Sequence, residues 1–523
     1  MPIRLRPMSR RRFLATTAGA GVASAFGSLA MPYLSRAADR PLVTHGVQSG
    51  DVTRDSGVVW ARADRPAQLL VEVATTESFA DARALPPIDA LPESDFTAKL
   101  LVDELPSDQT IFYRARFRDL AHVDVEGEPV VGRFRTAPAG RRDVSFVWGG
   151  DVGGQGWGIN PDDGGMRTFA AMRAHTPDLF IHSGDTIYAD SPMRDEVRLP
   201  DGTVWKNLLV PEKTRVAETT AEFRAAHKYN LLDDNLRAFN AEVPIFVQWD
   251  DHDVLNNWSP SKVVPAAYGE RSVALLAARA SRAFHDMYPL RESLTEPGRV
   301  YRTIHYGPHL DVFMLDERSY RGPNGDNLQT SYGPDAWFMG AAQLAWLKRE
   351  LLASRATWKV IASDMPIGIV VYDDFATRKG SEAVAQGDGP PRGRELEFAD
   401  LFRFIKAAGI RNTVWVTADV HYTAAHYYNP DKAQFQDFEP FWEFVSGPLN
   451  AGTFGPNPMD NTFGPEVRFI KAPGADHQNL PPSAGMQFFG HGRIDGRTGQ
   501  LTVTLRDRAD TALWAVTLDP HPG

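Results

Sequence analysis

Short runs of alternating apolar and polar residues dominate the chain between residues 40 and 136. The strand-like runs are Val58–Trp60, Leu69–Val73, Ile111–Arg116 and Val130–Phe134, with turn residues between them. Short strands at this spacing are typical of two antiparallel sheets packed face to face. We therefore predict a small β-sandwich over residues 40–136, followed by a linker at Thr136–Arg142.

A different pattern begins at Asp143, where fully apolar runs alternate with segments of helical period. The strand candidates are Val144–Trp148, Asp178–His182, Pro244–Trp249, Leu310–Leu315, Lys359–Ala362 and Thr413–Thr417. The helix candidates are Arg167–Ala174, Ser272–Met287, Ala341–Ala353 and Leu396–Ala408. This alternation predicts a layered α/β domain in which helices cover one or two central sheets. Gly499–Leu518 alternates again and is expected to pair with a sheet edge.

The folded part of the chain therefore divides into two expected domains. Residues 40–136 would form a fibronectin-like sandwich without chemistry of its own, and residues 143–519 would form the catalytic domain. Glycine- and proline-rich stretches near residues 322–335, 386–393 and 447–465 predict long loops in the second domain. Loops of this kind often shape substrate pockets in α/β enzymes.

Residues 1–37 have the pattern of an export signal. Ser9–Leu14 carries a twin-arginine pattern, a weakly apolar run spans Ala15–Met31, and Ser35–Ala37 offers a small-x-small cleavage site. A membrane-spanning anchor is the alternative, but the run is rich in glycine and has no stop-transfer pattern. We expect export by the twin-arginine machinery to a periplasmic or extracellular location, with no stable membrane anchor after signal removal.

Composition narrows the classes of partner and ligand. The formal net charge of −10 argues against nucleic acid as the main partner. It would also repel phosphorylated substrates unless metal ions reverse the charge locally. The chain has no cysteine, so a disulfide framework is excluded and a metal site would use oxygen and nitrogen ligands.

Acidic, phenolic and imidazole side chains follow four of the predicted strands. The segments are Asp151–Gly153, Gly184–Tyr188, Asp250–Asp253 and Asp419–His421. Because the carboxyl ends of parallel strands share one edge of a sheet, we expect these side chains to converge. The alternative is a set of capping and turn aspartates. We favour a two-metal site able to activate water against a phosphate ester.

Individual residues in these segments suggest individual roles. Asp185 could bridge two cations. Tyr188 could bind one of these ions as a phenolate, and a phenolate ligand favours ferric iron. The alternative is that Tyr188 is a packing residue, as an isolated tyrosine usually is. His252 could be a ligand or the donor that protonates the leaving group. Asp253, Asn256 and Asn257 are candidates for substrate contacts or for support of the ligands.

The order of these motifs resembles the metallophosphoesterase superfamily, in particular the purple acid phosphatases. Three segments behind a small β domain and a twin-arginine signal are more closely similar to the alkaline phosphatase D (PhoD-like) family. They are Trp249–Val254, Leu315–Arg321 and Asp419–His421. The resemblance covers nearly the whole chain. It implies a phosphoric ester hydrolase with a metallophosphatase-like sheet core, helices on the outside and an N-terminal β-sandwich.

The resemblance also implies a set of metal ligands. Asp151, Asp185, Tyr188 and His421 would hold a ferric ion, and Asp185, Asp251 and Asp419 would hold a second ion. Carboxylates in the second site stand where purple acid phosphatases use neutral donors, which favours calcium over zinc or another divalent ion. The better-known family members have a cysteine iron ligand near the end of the first catalytic strand, and Asp151 occupies that region here. Oxygen in place of sulfur leaves the identity of that metal open.

Two further residues receive roles from the resemblance. His252 would lie near the leaving-group oxygen, and Arg318 is a candidate for gripping a phosphate oxygen. The alternative for Arg318 is a structural ion pair with Asp316 or Glu317.

The expected function is that of a secreted alkaline phosphatase acting on small-molecule phosphate mono- or diesters through a metal-activated hydroxide. A phosphodiesterase or phospholipase D-type diesterase is the first alternative, and a calcium-organised secreted binding module is the second.

Overall fold

The computed structural model describes residues 40–521, and the predicted export signal at residues 1–37 lies outside them. The strands are β1 (Val43–Gly50), β2 (Gly57–Ala63), β3 (Ala67–Ala74), β4 (Arg83–Ala84), β5 (Ile88–Ala90), β6 (Thr97–Val102), β7 (Thr110–Asp119), β8 (Val130–Arg135), β9 (Val144–Gly149), β10 (Leu179–Ser183), β11 (Glu196–Arg198), β12 (Val204–Lys206), β13 (Ile245–Gln248), β14 (Arg302–His305), β15 (Leu310–Met314), β16 (Trp358–Ala362), β17 (Tyr372–Asp374), β18 (Lys379–Ser381), β19 (Thr413–Thr417), β20 (Thr423–Tyr428), β21 (Phe441–Val445), β22 (Pro465–Lys471), β23 (Phe488–Ile494), β24 (Leu501–Asp507) and β25 (Ala512–Leu518). The α-helices are α1 (Arg167–Ala174), α2 (Thr220–Asn230), α3 (Asp234–Glu242), α4 (Val273–Met287), α5 (Ala341–Ala353) and α6 (Glu395–Ala407).

Most strands belong to two large mixed sheets. The nine-stranded sheet has the order β25-β24-β23-β9-β10-β13-β1-β2-β6, and the seven-stranded sheet has the order β14-β15-β16-β19-β21-β20-β22. β9, β10 and β13 run parallel in the first sheet, and β15, β16, β19 and β21 run parallel in the second. Ligands of α/β proteins usually bind beyond the carboxyl ends of such parallel strands.

The two large sheets pack face to face, and helices cover their outer faces. Phe146 and Trp148 of the nine-stranded sheet share one buried core with Val312 and Phe444 of the seven-stranded sheet. Helices α1 to α4 pack on the outer face of the first sheet, and α5 and α6 pack on the outer face of the second. This arrangement confirms the predicted α/β class, with layered sheets inside and helices outside.

The N-terminal β region shares a sheet with the rest of the chain. β1, β2 and β6 extend the nine-stranded sheet beyond β13 through a parallel bridge between Gly50 and Ile245. β3, β7 and β8, with the short β4 and β5, form a separate five-stranded sheet whose Val71 and Phe117 enter the same buried core. The boundaries of the two domains, 40–136 and 143–519, stay predictions.

Side-chain caps mark the starts of some helices. Thr219 and Glu222 form a capping box at the start of α2, and Ser272 caps α4. The sequence pattern predicted α1 and α5 with their observed bounds and α4 and α6 to within one residue, but it missed α2 and α3. These two helices contain several Asn, Asp and His residues of modest helix propensity, so packing against the sheet fixes them. No helix among the described residues is both long and apolar enough to cross a membrane.

Candidate metal centre

Strand ends from both large sheets deliver the acidic side chains to one place. Asp151 follows β9, Asp185 follows β10, Asp251 follows β13 and Asp419 follows β19. The φ angles of Asp151, Asp185, Asp419 and His421 are 68°, 47°, 59° and 61°. Aspartate and histidine enter this left-handed region more often than most residues do, and here it turns the chain sharply at the strand ends. Non-glycine residues in this region cluster at functional sites.

Asp151, Asp185 and His421 form the first of three groups of candidate ligands. One donor atom from each residue lies within 4.8 Å of the other two, and all three residues are buried. Both carboxylate oxygens of Asp151 lack a hydrogen-bond partner, although the residue is 0% exposed. An unpaired buried carboxylate is strongly unfavourable unless a cation compensates it. The donor set therefore fits a metal ion.

The His421 ring presents one nitrogen to this group. Its Nδ1 donates to the Gly452 carbonyl oxygen, which can only accept. Burial lowers the pKa of His421 to about 4, so the ring is neutral and Nε2 keeps its lone pair. The hydroxyl of Tyr188 donates to that Nε2 at 2.7 Å. Tyr188 thus lies where its oxygen and the imidazole nitrogen can approach the same ion.

Two further ligand groups share Asp251. Asp185, Asp251 and His252 form the second group, and Asp250, Asp251 and Asp419 form the third, again with donor atoms within 4.8 Å. Asp185 links the first group to the second, and Asp251 links the second to the third. The predicted ligands of the second ion, Asp185, Asp251 and Asp419, are therefore divided between these two groups. Asp250, which was not among the predicted ligands, belongs to the third group with Asp251 and Asp419.

Burial and mutual repulsion perturb these carboxyl groups. Burial and the Asp419 carboxylate raise the pKa of Asp151 well above its ordinary value. Burial and the carboxylates of Asp251 and Asp151 do the same for the pKa of Asp185. Burial and Asp251 raise the pKa of Asp419 to about 7. A cation bound among these carboxylates would lower their pKa values, because its positive charge offsets both the burial and the mutual repulsion.

His252 lies at the edge of the cluster with a carboxylate behind it. Its Nδ1 donates to Asp190 Oδ1 at 2.8 Å, and the ring packs on Tyr188 with centroids 4.4 Å apart. Burial opposes protonation, but the carboxylates of Asp190, Asp251 and Asp185 outweigh it and raise the pKa of His252 well above its ordinary value. With Nδ1 engaged by Asp190, a protonated ring has its Nε2–H left to donate.

Arg318 is buried among acids that the sequence did not associate with it. Its side chain is 0% exposed and pairs with Asp250, Asp364 and Glu382. The alternative prediction, an ion pair of Arg318 with Asp316 or Glu317, was wrong. The carboxylates of Asp316 and Glu317 accept hydrogen bonds from neighbouring backbone and side-chain donors instead. 

One guanidinium nitrogen of Arg318 lies beside the candidate metal ligands without a hydrogen bond. Nη2 has no hydrogen-bond partner and lies 3.5 Å from Asp419 Oδ1 and 3.9 Å from Asp251 Oδ1. Nη2 is itself buried, so it faces these carboxylates rather than solvent.

The three predicted candidates that come after His252 in the sequence make different contacts. The Asp253 carboxylate accepts from the Thr186 side chain and from the Asp250 backbone, so it joins two loops rather than facing the ligand groups. The Asn257 side chain donates to the Asp373 carbonyl oxygen. Asn256 is exposed, and its backbone N–H donates to Asp190.

Sequence reasoning missed three acids that the structure places around these residues: Asp190, Asp364 and Glu382. Asp364 follows β16 as the other acids follow their strands, so the same strand-end pattern would have found it. Asp190 lies two residues beyond Tyr188 in an already suspected segment. Glu382 directly follows the hairpin strand β18, and no local pattern marks its approach to Arg318.

Gly154 has no side chain, and this absence leaves room for the Tyr188 ring. An added Cβ at Gly154 would lie 2.0 Å from Cγ of the buried Tyr188 ring. Gly154→Ala is expected to displace the ring, lowering kcat roughly 10²-fold and the free energy of unfolding by about 1–3 kcal/mol. Steady-state turnover and thermal unfolding check both. Gly325→Ala is the control, since nothing lies within 4 Å of its added Cβ; equal losses in both variants would contradict the argument.

Two packed mixed sheets with strand-end carboxylate and imidazole groups define a metallophosphoesterase-like protein. Two solved structures share this fold. One described as the structure of PhoD is 22% identical, with a TM-score of 0.67 over 91% of this chain and 89% of that one. A purple acid phosphatase from yellow lupin (Lupinus luteus) seeds is 12% identical, with a TM-score of 0.53 over 92% of this chain and 74% of that one.

Family models place the chain more narrowly. Residues 146–505 match the model described as PhoD-like phosphatase, and residues 28–138 match the model described as its N-terminal domain. The chain belongs to the PhoD-like phosphatase family, as the motif resemblance predicted, and it is a phosphoric ester hydrolase. Alkaline phosphatase D of Bacillus subtilis (strain 168) is 27% identical over 439 residues, which is 80% of this chain and 71% of that protein. Membership sets aside the binding-module alternative.

Proposed function

We propose that this protein is an exported alkaline phosphatase that hydrolyses small phosphate mono- and diesters in the periplasm or outside the cell. The observation that carries the proposal is the group formed by Asp151, Asp185 and His421, in which a fully buried carboxylate has no hydrogen-bond partner. The two further ligand groups that share Asp251 would hold a second ion. Export through the twin-arginine machinery follows from the pattern in residues 1–37.

The donor sets suggest which ions the two parts of the centre would hold. Ferric iron suits Asp151, Asp185 and His421 with the Tyr188 phenol, because a hard trivalent ion favours a phenolate ligand. Calcium suits the all-oxygen group of Asp250, Asp251 and Asp419, and zinc or another divalent ion suits it less. Ions held there would supply a hydroxide nucleophile at neutral pH and neutralise charge on phosphate oxygens.

The protein's own residues bind the ester and move one proton. Arg318 Nη2 would hold a non-bridging phosphate oxygen, since the other guanidinium nitrogens are occupied by carboxylates. His252, whose protonated form is favoured by the Asp190 carboxylate, would donate Nε2–H to the departing alkoxide. No covalent phosphoenzyme is required.

A diesterase is the second candidate, and the charge around the centre favours it. Arg318 offers one unpaired nitrogen, while Asp190, Asp250, Asp251, Asp364 and Glu382 surround the same region. A singly charged diester is repelled less by these acids than a doubly charged monoester. Hydrolysis of phosphodiesters, including phospholipid head groups, would follow from the same residues.

The test is hydrolysis of a chromogenic phosphomonoester beside its diester analogue at alkaline pH. Each is measured before chelation, after chelation, and with calcium added back. Calcium-restored turnover is expected, and the ratio of the two rates separates phosphatase from diesterase. Visible absorption from an iron–phenolate pair should disappear in Tyr188→Phe. Absence of turnover in protein shown to contain its metals would contradict the proposal.

Replacing Asp190 tests the proton donor. Asp190→Asn keeps an acceptor for His252 Nδ1 but removes the charge that favours the imidazolium. We expect kcat/KM for alkyl phosphates, which have poor leaving groups, to fall about 10²-fold, and that for nitrophenyl phosphates to change less than about threefold. Comparison of the two substrates measures the effect.

The control is Asp195→Asn, which removes an exposed carboxylate from the same loop. It should leave both substrates unaffected. Equal losses on alkyl and nitrophenyl esters in Asp190→Asn would show that His252 does not protonate the leaving group.

A further inference from the structure

A cleft of about 630 Å³ opens at the amino ends of β15, β16 and β19, opposite the metal centre. Five-residue strands separate it from the ligand groups, which is roughly 16 Å at the usual rise of a strand. Its volume lies in the usual range for small-molecule sites. The cleft is therefore a separate feature of the fold.

The side chains that line this cleft carry positive charge on a protein whose net charge is −10. Arg141, Arg355, Lys359 and Arg411 line it together with His309 and Asn412, and no carboxylate lines it among residues 40–521. Arg141 comes from the linker before β9, Arg355 from the turn after α5, and Arg411 from the turn after α6. Three separate parts of the chain thus bring guanidinium groups to one cavity.

Two of these charges already have a structural role. Arg411 pairs with Glu439 at 2.9 Å, and the buried Lys359 donates to the Ala356 carbonyl oxygen at 2.8 Å near Asp311. The C-terminal ends of α5 and α6 also face this region, but each helix end supplies only about half a negative charge. Neither these contacts nor the helix ends neutralise the charges of Arg141 and Arg355.

Arg141 and Arg355 have no ion pair or hydrogen-bonded partner among residues 40–521. The ion pairs and side-chain hydrogen bonds of that part of the chain include neither residue. Both residues are exposed, so their guanidinium donors are free to bind oxyanions such as phosphate or sulfate at the cavity. From these observations we infer that the cleft binds a small, multiply phosphorylated anion, separately from the ester that is hydrolysed at the metal centre.

The test uses inositol hexasulfate as the probe, because clustered sulfates present the same oxyanion geometry and contain no phosphate ester to hydrolyse. Calorimetric titration of the metal-loaded protein is expected to show one site whose affinity falls as salt is raised. Arg141→Gln with Arg355→Gln should weaken binding about 100-fold. The kcat and KM for a chromogenic phosphomonoester should stay unchanged in this variant.

The matched control is Arg40→Gln with Arg468→Gln, which removes the same charge from exposed arginines outside the cleft. It should bind the probe as the unmodified protein does. Three results would overturn the inference: no binding to the unmodified protein, equal weakening in the control, or unchanged affinity in the cleft variant. A loss of probe binding together with an unchanged KM also separates the cleft from the proposed active site.

Discussion

Replacing Asp185 with Asn is expected to lower kcat by roughly 10³-fold, which is about 4 kcal/mol of lost transition-state stabilisation. Asp185 belongs to the first and second ligand groups, so its loss removes a donor from both. Metal analysis after dialysis should show a fall in bound metal that parallels the loss of turnover. Full activity with normal metal content would disprove a bridging position for this carboxylate.

The same substitution should have the opposite effect on the stability of the chelated protein. Burial and neighbouring carboxylates raise the pKa of Asp185 in the folded protein. A raised carboxyl pKa means that stability is lost as the pH rises from the unfolded value, near 4, through the folded value. At neutral pH the chelated variant should therefore melt at or above the temperature of the chelated unmodified protein. Adding metal should raise the melting temperature of the unmodified protein much more.

Asp233→Asn is the matched control. Asp233 is a buried aspartate whose pKa burial also raises, but it caps α3 outside the ligand groups. Asparagine caps a helix about as well as aspartate. This variant should keep its metal content and its turnover, so a fall in both would point to general damage rather than to the loss of a ligand.

Much of the site was predictable because the strands that carry it have a simple local pattern. The run Thr413–Thr417 has the same bounds as β19, and Asp178–His182 differs from β10 by one residue at each end. Uniformly apolar runs indicate strands buried on both faces, and an acid directly after such a run stands at the sheet edge. These two local facts brought Asp151, Asp185 and Asp419 into one hypothesis.

The contacts between distant parts of the chain could not be predicted in the same way. Arg318 meets Asp250, Asp364 and Glu382 across 68, 46 and 64 residues of sequence. Those partners depend on how the two sheets pack, which no local period of apolar residues describes. The same reason explains why Asp316 and Glu317, the nearest acids in the sequence, were the wrong partners.

Replacing Arg318 with Met should cause the largest loss of stability of any single substitution considered for this protein. It would leave Asp250 and Asp364 buried without a cation, while Glu382 would keep its ion pair with Arg321. Removing one partner from a buried ion network costs about 3–5 kcal/mol. Urea unfolding in the presence of chelator measures the change, so that loss of metal does not contribute. By contrast, Arg40→Met removes an exposed pair with Glu128 and should cost less than about 1 kcal/mol.

Two further variants separate charge from geometry at Arg318. Arg318→Lys keeps the charge, but an ammonium cannot repeat the planar contacts in which Nε meets Asp250 and Asp364 while Nη1 meets Glu382. Most of the loss should therefore remain. Arg318→Met combined with Asp250→Asn and Asp364→Asn should recover stability relative to Arg318→Met alone, because fewer unpaired charges stay buried while Glu382 keeps its ion pair with Arg321. If the combined variant were no more stable than the single one, the cost would lie in packing, and the acids would not depend on Arg318 for their burial.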